Sequence, residues 1–150
     1  MAAFEVATSA DGTSWVGHHE CTGTEATVTF GSTSTADEYI KQTYDHLLLI
    51  ISARTDRAAT YDTLQFRLNG DDTIGNYPFR TMYSTTTSVA SGGNQVQNDG
   101  FIGDITGGNS TTSAFGYAKV WIPHYANSAN FKQVLAICGR QEDSTTQNYD

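Results

Sequence analysis

Short runs that alternate apolar and polar residues recur along this chain every 10 to 20 residues, with turn residues between them. No stretch of 11 to 18 residues repeats its apolar positions with the 3.6-residue period of a helix. A half-buried strand needs a period of two, so the pattern restricts the chain to sheets. Ala26, Val28 and Phe30 alternate with Thr27 and Thr29. Leu64, Phe66 and Leu68 alternate with Gln65 and Arg67. Ala118, Val120 and Ile122 alternate with Tyr117, Lys119 and Trp121, and Pro123 stops that run. Leu47 to Ile51 is continuously apolar, which fits a strand covered on both faces or central in a sandwich, with a short helix as the alternative. Phe79–Tyr83, Phe101–Ile105 and Phe131–Cys138 complete the expected strands.

Turn chemistry separates these runs. Asn69-Gly70-Asp71-Asp72 reads as a hairpin turn, and Gly107-Gly108-Asn109 as a second turn. The Ser/Thr-rich stretch 31–37 reads as a loop, and 84–99 as a long loop or a poorly regular strand. The polar tail from Gln141 offers no obvious core. The expected fold is all-β, an antiparallel β-sandwich or jelly roll. Residues 1–20 form an N-terminal arm or edge strand, and residues 21–150 one domain.

Composition narrows the function. Charged residues make up only 16% of the 150, against about 25% in ordinary domains. Ser, Thr, Asn, Gln and Gly take their place, a surface suited to strands and tight turns. The net charge of -8 argues against nucleic acid and anionic membranes, because both require clustered Lys and Arg. Cys21 and Cys138 make no disulfide scaffold and read as two thiols, with a single bridge as the alternative. Met1 to Ala10 lacks the basic start and apolar run of a signal peptide, so synthesis in a cytoplasm is expected.

Several constellations can carry chemistry. His18-His19-Glu20-Cys21 offers metal ligands, with Cys138, His46 or His124 as partners. Neighbours on a strand point to opposite faces, so a polar loop without metal is the preferred reading. Asn69, Asp71 and Asp72 are rich in oxygen but lack a calcium-loop pattern. Glu20, Glu25, Asp37, Glu38, Asp56, Asp62 and Asp104 are the carboxylates from which a glycosidase pair would be drawn. No nucleophile elbow and no phosphate loop is present, so no catalytic residue and no cofactor is assigned. Arg54, Asp56, Arg57 and Arg67 read as a structural ion-pair cluster. Tyr77, Tyr83, Tyr117, Trp121 and Tyr125 read as packed or interface aromatics, or as a sugar-stacking face.

From about Val28 to Gly139 the chain resembles a family of small jelly-roll-like virion proteins of tailed bacteriophages, especially marine and cyanobacterial ones. The resemblance rests on Tyr44-Asp-His46-Leu47, on Arg54 with Asp56 and Arg57, and on Phe66-Arg-Leu-Asn69-Gly70-Asp71 with Asn76-Tyr77. It continues through Ser113-Ala-Phe-Gly116, His124-Tyr125-Ala126-Asn127 and Phe131-Lys132-Gln-Val134. It implies a non-enzymatic module on the virion surface, made in the host cytoplasm: a capsid decoration or cement protein, or a tail-fibre or head-fibre segment. Such domains usually continue with two or three more strands past the equivalent of Gly139, whereas this chain stops at Asp150. Either the chain is trimmed or a neighbouring subunit completes the sheet, so a homo-oligomer, a trimer first, is expected. The implied partners are copies of the chain and the major capsid protein or tail and fibre proteins. A carbohydrate-binding adhesin that reads a host surface glycan is the second reading, and a small glycan-active enzyme the third.

Overall fold

The computed structural model describes residues 3–8, 14–31, 40, 44–84, 88–129, 131–141 and 147–149. Among them the fold is all-β and its strand pairings are antiparallel. The chain forms two compact units, and each is built from two separate stretches. Unit one takes Met1–Ala53 and Tyr117–Ala136; unit two takes Arg54–Gly116 and Ile137–Asp150. The divisions fall after Ala53, Gly116 and Ala136.

In unit one, β1 (Ala3–Thr8) pairs with β2 (Ser14–Glu20) on one side and β3 (His46–Ala53) on the other. The first twenty residues thus supply two strands, with β2 outermost, and β1 joins the sheet directly to β3. β3 is central, next to β8 (Gly116–Pro123). Leu47, Ile51 and Ala53 of β3 are buried, while Leu48 and Ile50 on its other face are half-buried. On β8 the alternation is complete. Ala118, Val120 and Ile122 are buried, and Tyr117, Lys119 and Trp121 are exposed. Burying a Val or Ile side chain contributes roughly 1.5–3 kcal/mol, so Ile51 and Val120 anchor this core.

Unit two has two sheets. One runs β9 (Leu135–Gln141), β10 (Gln147–Tyr149), β5 (Phe79–Ser84), β6 (Val89–Asn94). Leu135 and Ala136, at the start of β9, count with unit one. The other sheet pairs β4 (Tyr61–Phe66) with β7 (Gly100–Thr106), with a bulge opposite Leu64 and Gln65. β7 lies over the larger sheet. Phe101 stacks on Phe79 at 4.7 Å between ring centres. The Thr106 hydroxyl donates to the Gln141 carbonyl (3.0 Å) and accepts from the Gln141 N–H (3.3 Å). Arg140 donates to Asp104 (2.8 Å) and covers the Tyr61 ring at 4.4 Å.

Three expectations need correction. Residues 26–30 form no strand, although Val28 and Phe30 are half-buried between exposed threonines as the alternation requires. A period of two reports one covered side; a ladder needs a partner strand as well. The Asn69-Gly70 turn exists, with φ of 55° and 71° and a hydrogen bond from Asp71 N–H to the Leu68 carbonyl, but it closes no hairpin. β4 pairs with β7 instead, because Phe66 and Leu64 meet that strand. The polar tail adds a short strand: β10 pairs with β9 and β5 through main-chain groups, which polar sequence does not forbid. The last long strand begins at Leu135; Phe131 is fully exposed.

At Gly103 the sheets come so close that an added Cβ would lie 1.9 Å from the Cys138 sulfur, and its φ is 153°. Only a hydrogen fits there. G103A should therefore destabilise the fold by roughly 1–3 kcal/mol, as overpacking does, measured by urea denaturation.

Candidate functional site

The end of β8 and the start of β3 build an aromatic corner in unit one. Their adjacency places His46, Trp121 and His124 together. His46 lies 5.7 Å from the Trp121 ring centre and 4.9 Å from that of His124, both rings tilted. After Pro123 the chain turns, and His124 adopts a φ of 48°, a left-handed conformation that His, Asn and Asp enter more readily than other non-glycine residues. In that conformation its N–H donates to His46 Nδ1 (3.2 Å). His46 Nδ1 is an acceptor there, so the ring carries its hydrogen on Nε2. The turn is held further by Tyr125 N–H on the Asp45 carbonyl (3.1 Å) and Asn127 N–H on the His124 carbonyl (3.0 Å). The Lys132 ammonium donates to the His124 carbonyl (3.2 Å) and to the Asn127 carbonyl. Trp121 is 42% exposed and Tyr117, on the same strand face, 47%. A flat, half-exposed indole beside imidazole donors and acceptors can stack on an apolar ring face and hydrogen-bond its edge.

The five aromatics read from the sequence divide between the units. Tyr117, Trp121 and Tyr125 belong to unit one, and Tyr125 is half-buried. Tyr77 is buried in unit two, edge-on to Phe66 at 5.8 Å, with its hydroxyl accepting from Leu68 N–H (3.0 Å). Tyr83 is on β5, partly exposed. His46 and His124, considered in the sequence only as metal ligands, complete the corner with Trp121.

The arginines serve separate places in unit two and do not form one cluster. Arg54 donates to four carbonyls of one loop: Gly108 (2.7 Å), Ser110 (2.8 Å), Ala114 (3.2 Å) and Thr111. Arg57 pairs with Asp62 at 3.0 Å in an exposed contact. Arg67 holds Asp99 through two nitrogens, which keeps the Asp99 carboxyl below its ordinary value of 3.8. Asp56 is exposed in the segment that follows Arg54. Asp71 accepts from Asn76 (2.7 Å) and Thr73 N–H (3.0 Å), and these bonds lower its pKa. Both its oxygens thus close the loop beside Asp72, the role of a turn residue. Asp104 is bound to Arg140 and Asp62 to Arg57. Asp37 and Glu38 lie outside the described residues.

Cys21 and Cys138 are both buried thiols. Among the described residues one group of three metal-competent side chains converges: His19, Cys21 and Glu25. A shallow groove lined by Gly75, Pro78, Phe79, Arg80 and Gln95 opens on unit two. Comparison with protein families, curated proteins and solved structures finds no match to this chain.

Arg54 holds four carbonyls, and charge-assisted bonds to carbonyls are individually strong. R54A should cost about 3 kcal/mol of unfolding free energy, read by chemical denaturation. R54K should recover little of it, because one ammonium cannot span the fork that holds four carbonyls.

Proposed function

We propose that this protein is a non-enzymatic structural module of a phage virion surface, which associates with copies of itself and docks on capsid or fibre proteins. The observation that carries this reading is the sheet edge of unit two. Among the described strands β6 ends its sheet, and its sequence, Val-Ala-Ser-Gly-Gly-Asn, has no charge and no proline. Natural edges are usually blunted by charge, proline or covering segments. Val89 on this edge is 73% exposed and Met82 on the neighbouring strand 74%. An uncharged edge with two bare aliphatic side chains is suited to strand addition by a second copy. The virion setting and the finer jelly-roll assignment rest on the family resemblance described above. An acidic, Thr-rich surface keeps free copies apart until the edge is engaged.

A second reading, a glycan-binding module, is favoured by the exposed Trp121 beside His46 and His124. It predicts a sugar-dependent change in tryptophan fluorescence that W121A abolishes and W15F retains. No change across a glycan panel would remove this reading.

The structural reading predicts an oligomer, a trimer first, in light scattering at micromolar concentration. M82E combined with V89K should give monomers with an unchanged circular dichroism spectrum. A wild-type chain that is already a monodisperse monomer would overturn the self-association. Gold labelling of intact particles then separates head decoration from fibre placement.

A further inference from the structure

We infer that His19, Cys21 and Glu25 form a binding site for a borderline-soft divalent transition metal, zinc being the best match. The site lies in unit one and is independent of the sheet edge and of the aromatic corner.

The geometry follows from strand periodicity. Successive side chains on β2 alternate, so His18 and Glu20 face solvent while His19 and Cys21 share the inward face. His19 is half-buried and Cys21 is 5% exposed. The chain then bends at Thr22 and Gly23, and Glu25 returns to the same side. Glu25 Oε2 lies 2.7 Å from His19 Nε2. One ligand atom from each of the three residues, nitrogen, sulfur and oxygen, lies within 4.8 Å of the other two. Around a tetrahedral zinc, with bonds of roughly 2.0–2.3 Å, donors sit about 3.3–3.8 Å apart. Reaching that arrangement takes a contraction of at most about 1 Å at the pairs that involve Cys21 and an opening of about 0.6 Å between His19 and Glu25.

The donor set selects the ion. A thiolate with an imidazole favours zinc over magnesium or calcium, which prefer oxygen alone. On binding, the Cys21 thiol releases its proton to solvent. Binding through Nε2 uses the imidazole tautomer that carries its hydrogen on Nδ1. A dication with one thiolate and one carboxylate sums to zero, so no net charge is buried. Three protein ligands leave the fourth tetrahedral position to water. Alternation along the strand sets His18 apart from His19 but leaves His19 and Cys21, spaced His-x-Cys-x3-Glu with Glu25, on one side.

The test is a cobalt(II) titration of the reduced, metal-stripped full chain. One equivalent should produce a thiolate-to-cobalt charge-transfer band that zinc bleaches and that fades as pH falls. C21S should abolish the band and C138S should retain it. H19N and E25Q should each weaken cobalt affinity tenfold or more, with circular dichroism unchanged. Absence of the band, a band that survives C21S, or E25Q binding as tightly as wild type would each overturn the assignment. E25Q alters a surface side chain, so it decides the question even if C21S misfolds.

Discussion

The Arg54 guanidinium is the interaction on which unit two most depends. Its five N–H groups lie in a fixed fork, and the loop 108–114 arranges four carbonyls around it. Those carbonyls would otherwise need water or each other, and a loop that turns its oxygens inward needs a cation at its centre. The same contact sets the neighbouring backbone. Thr55 N–H donates to the Thr106 carbonyl (3.0 Å), and Gly107 and Gly108 N–H groups donate to Thr60 and Arg57 carbonyls (2.9 and 2.8 Å). A Cβ at Gly108 would come within 2.7 Å of the Arg57 carbonyl oxygen, so the two backbones touch without side chains between them. The end of β7 is thereby aimed and the approach to β8 fixed.

What was legible in the sequence was the part governed by burial with a period of two. The alternation in β8 names its buried face residue by residue, and the continuous apolar run of β3 marks the central strand of unit one. β4 follows the same rule, whereas β7 is covered on both faces around its bulge. Strands with little apolar sequence were hidden. β6 and β10 carry few apolar residues, and a ladder of N–H and C=O groups leaves no trace in side-chain pattern. Partner choice was hidden too: Asn69-Gly70 predicts the turn conformation correctly, yet nothing in it says that β4 pairs some forty residues downstream.

The site features show the same division. Arg54 reads as one member of an ion-pair cluster because sequence counts charges, whereas its partners are carbonyls that every residue possesses. His46 and His124 lie 78 residues apart and meet only because β3 and β8 are neighbours. The His19, Cys21 and Glu25 group needed the bend at Gly23, which brings a carboxylate back beside the strand that it has just left. Exposed Trp121 and exposed Met82 belong to different units, so the two proposed readings draw on separate parts of the chain.

Each unit is assembled from two stretches of chain, and the stretches interleave. During synthesis β1, β2 and β3 emerge first, but the strand that flanks β3 on its far side arrives only after all of β4 to β7 has been made. Unit two in turn waits for β9, which follows β8. Neither unit can therefore finish on the ribosome before the other has largely been translated. Loop closure over such separations is slow and leaves strand edges open meanwhile. A truncation anywhere before β9 removes part of both units at once, so the shortest chain able to complete either one is nearly the whole protein.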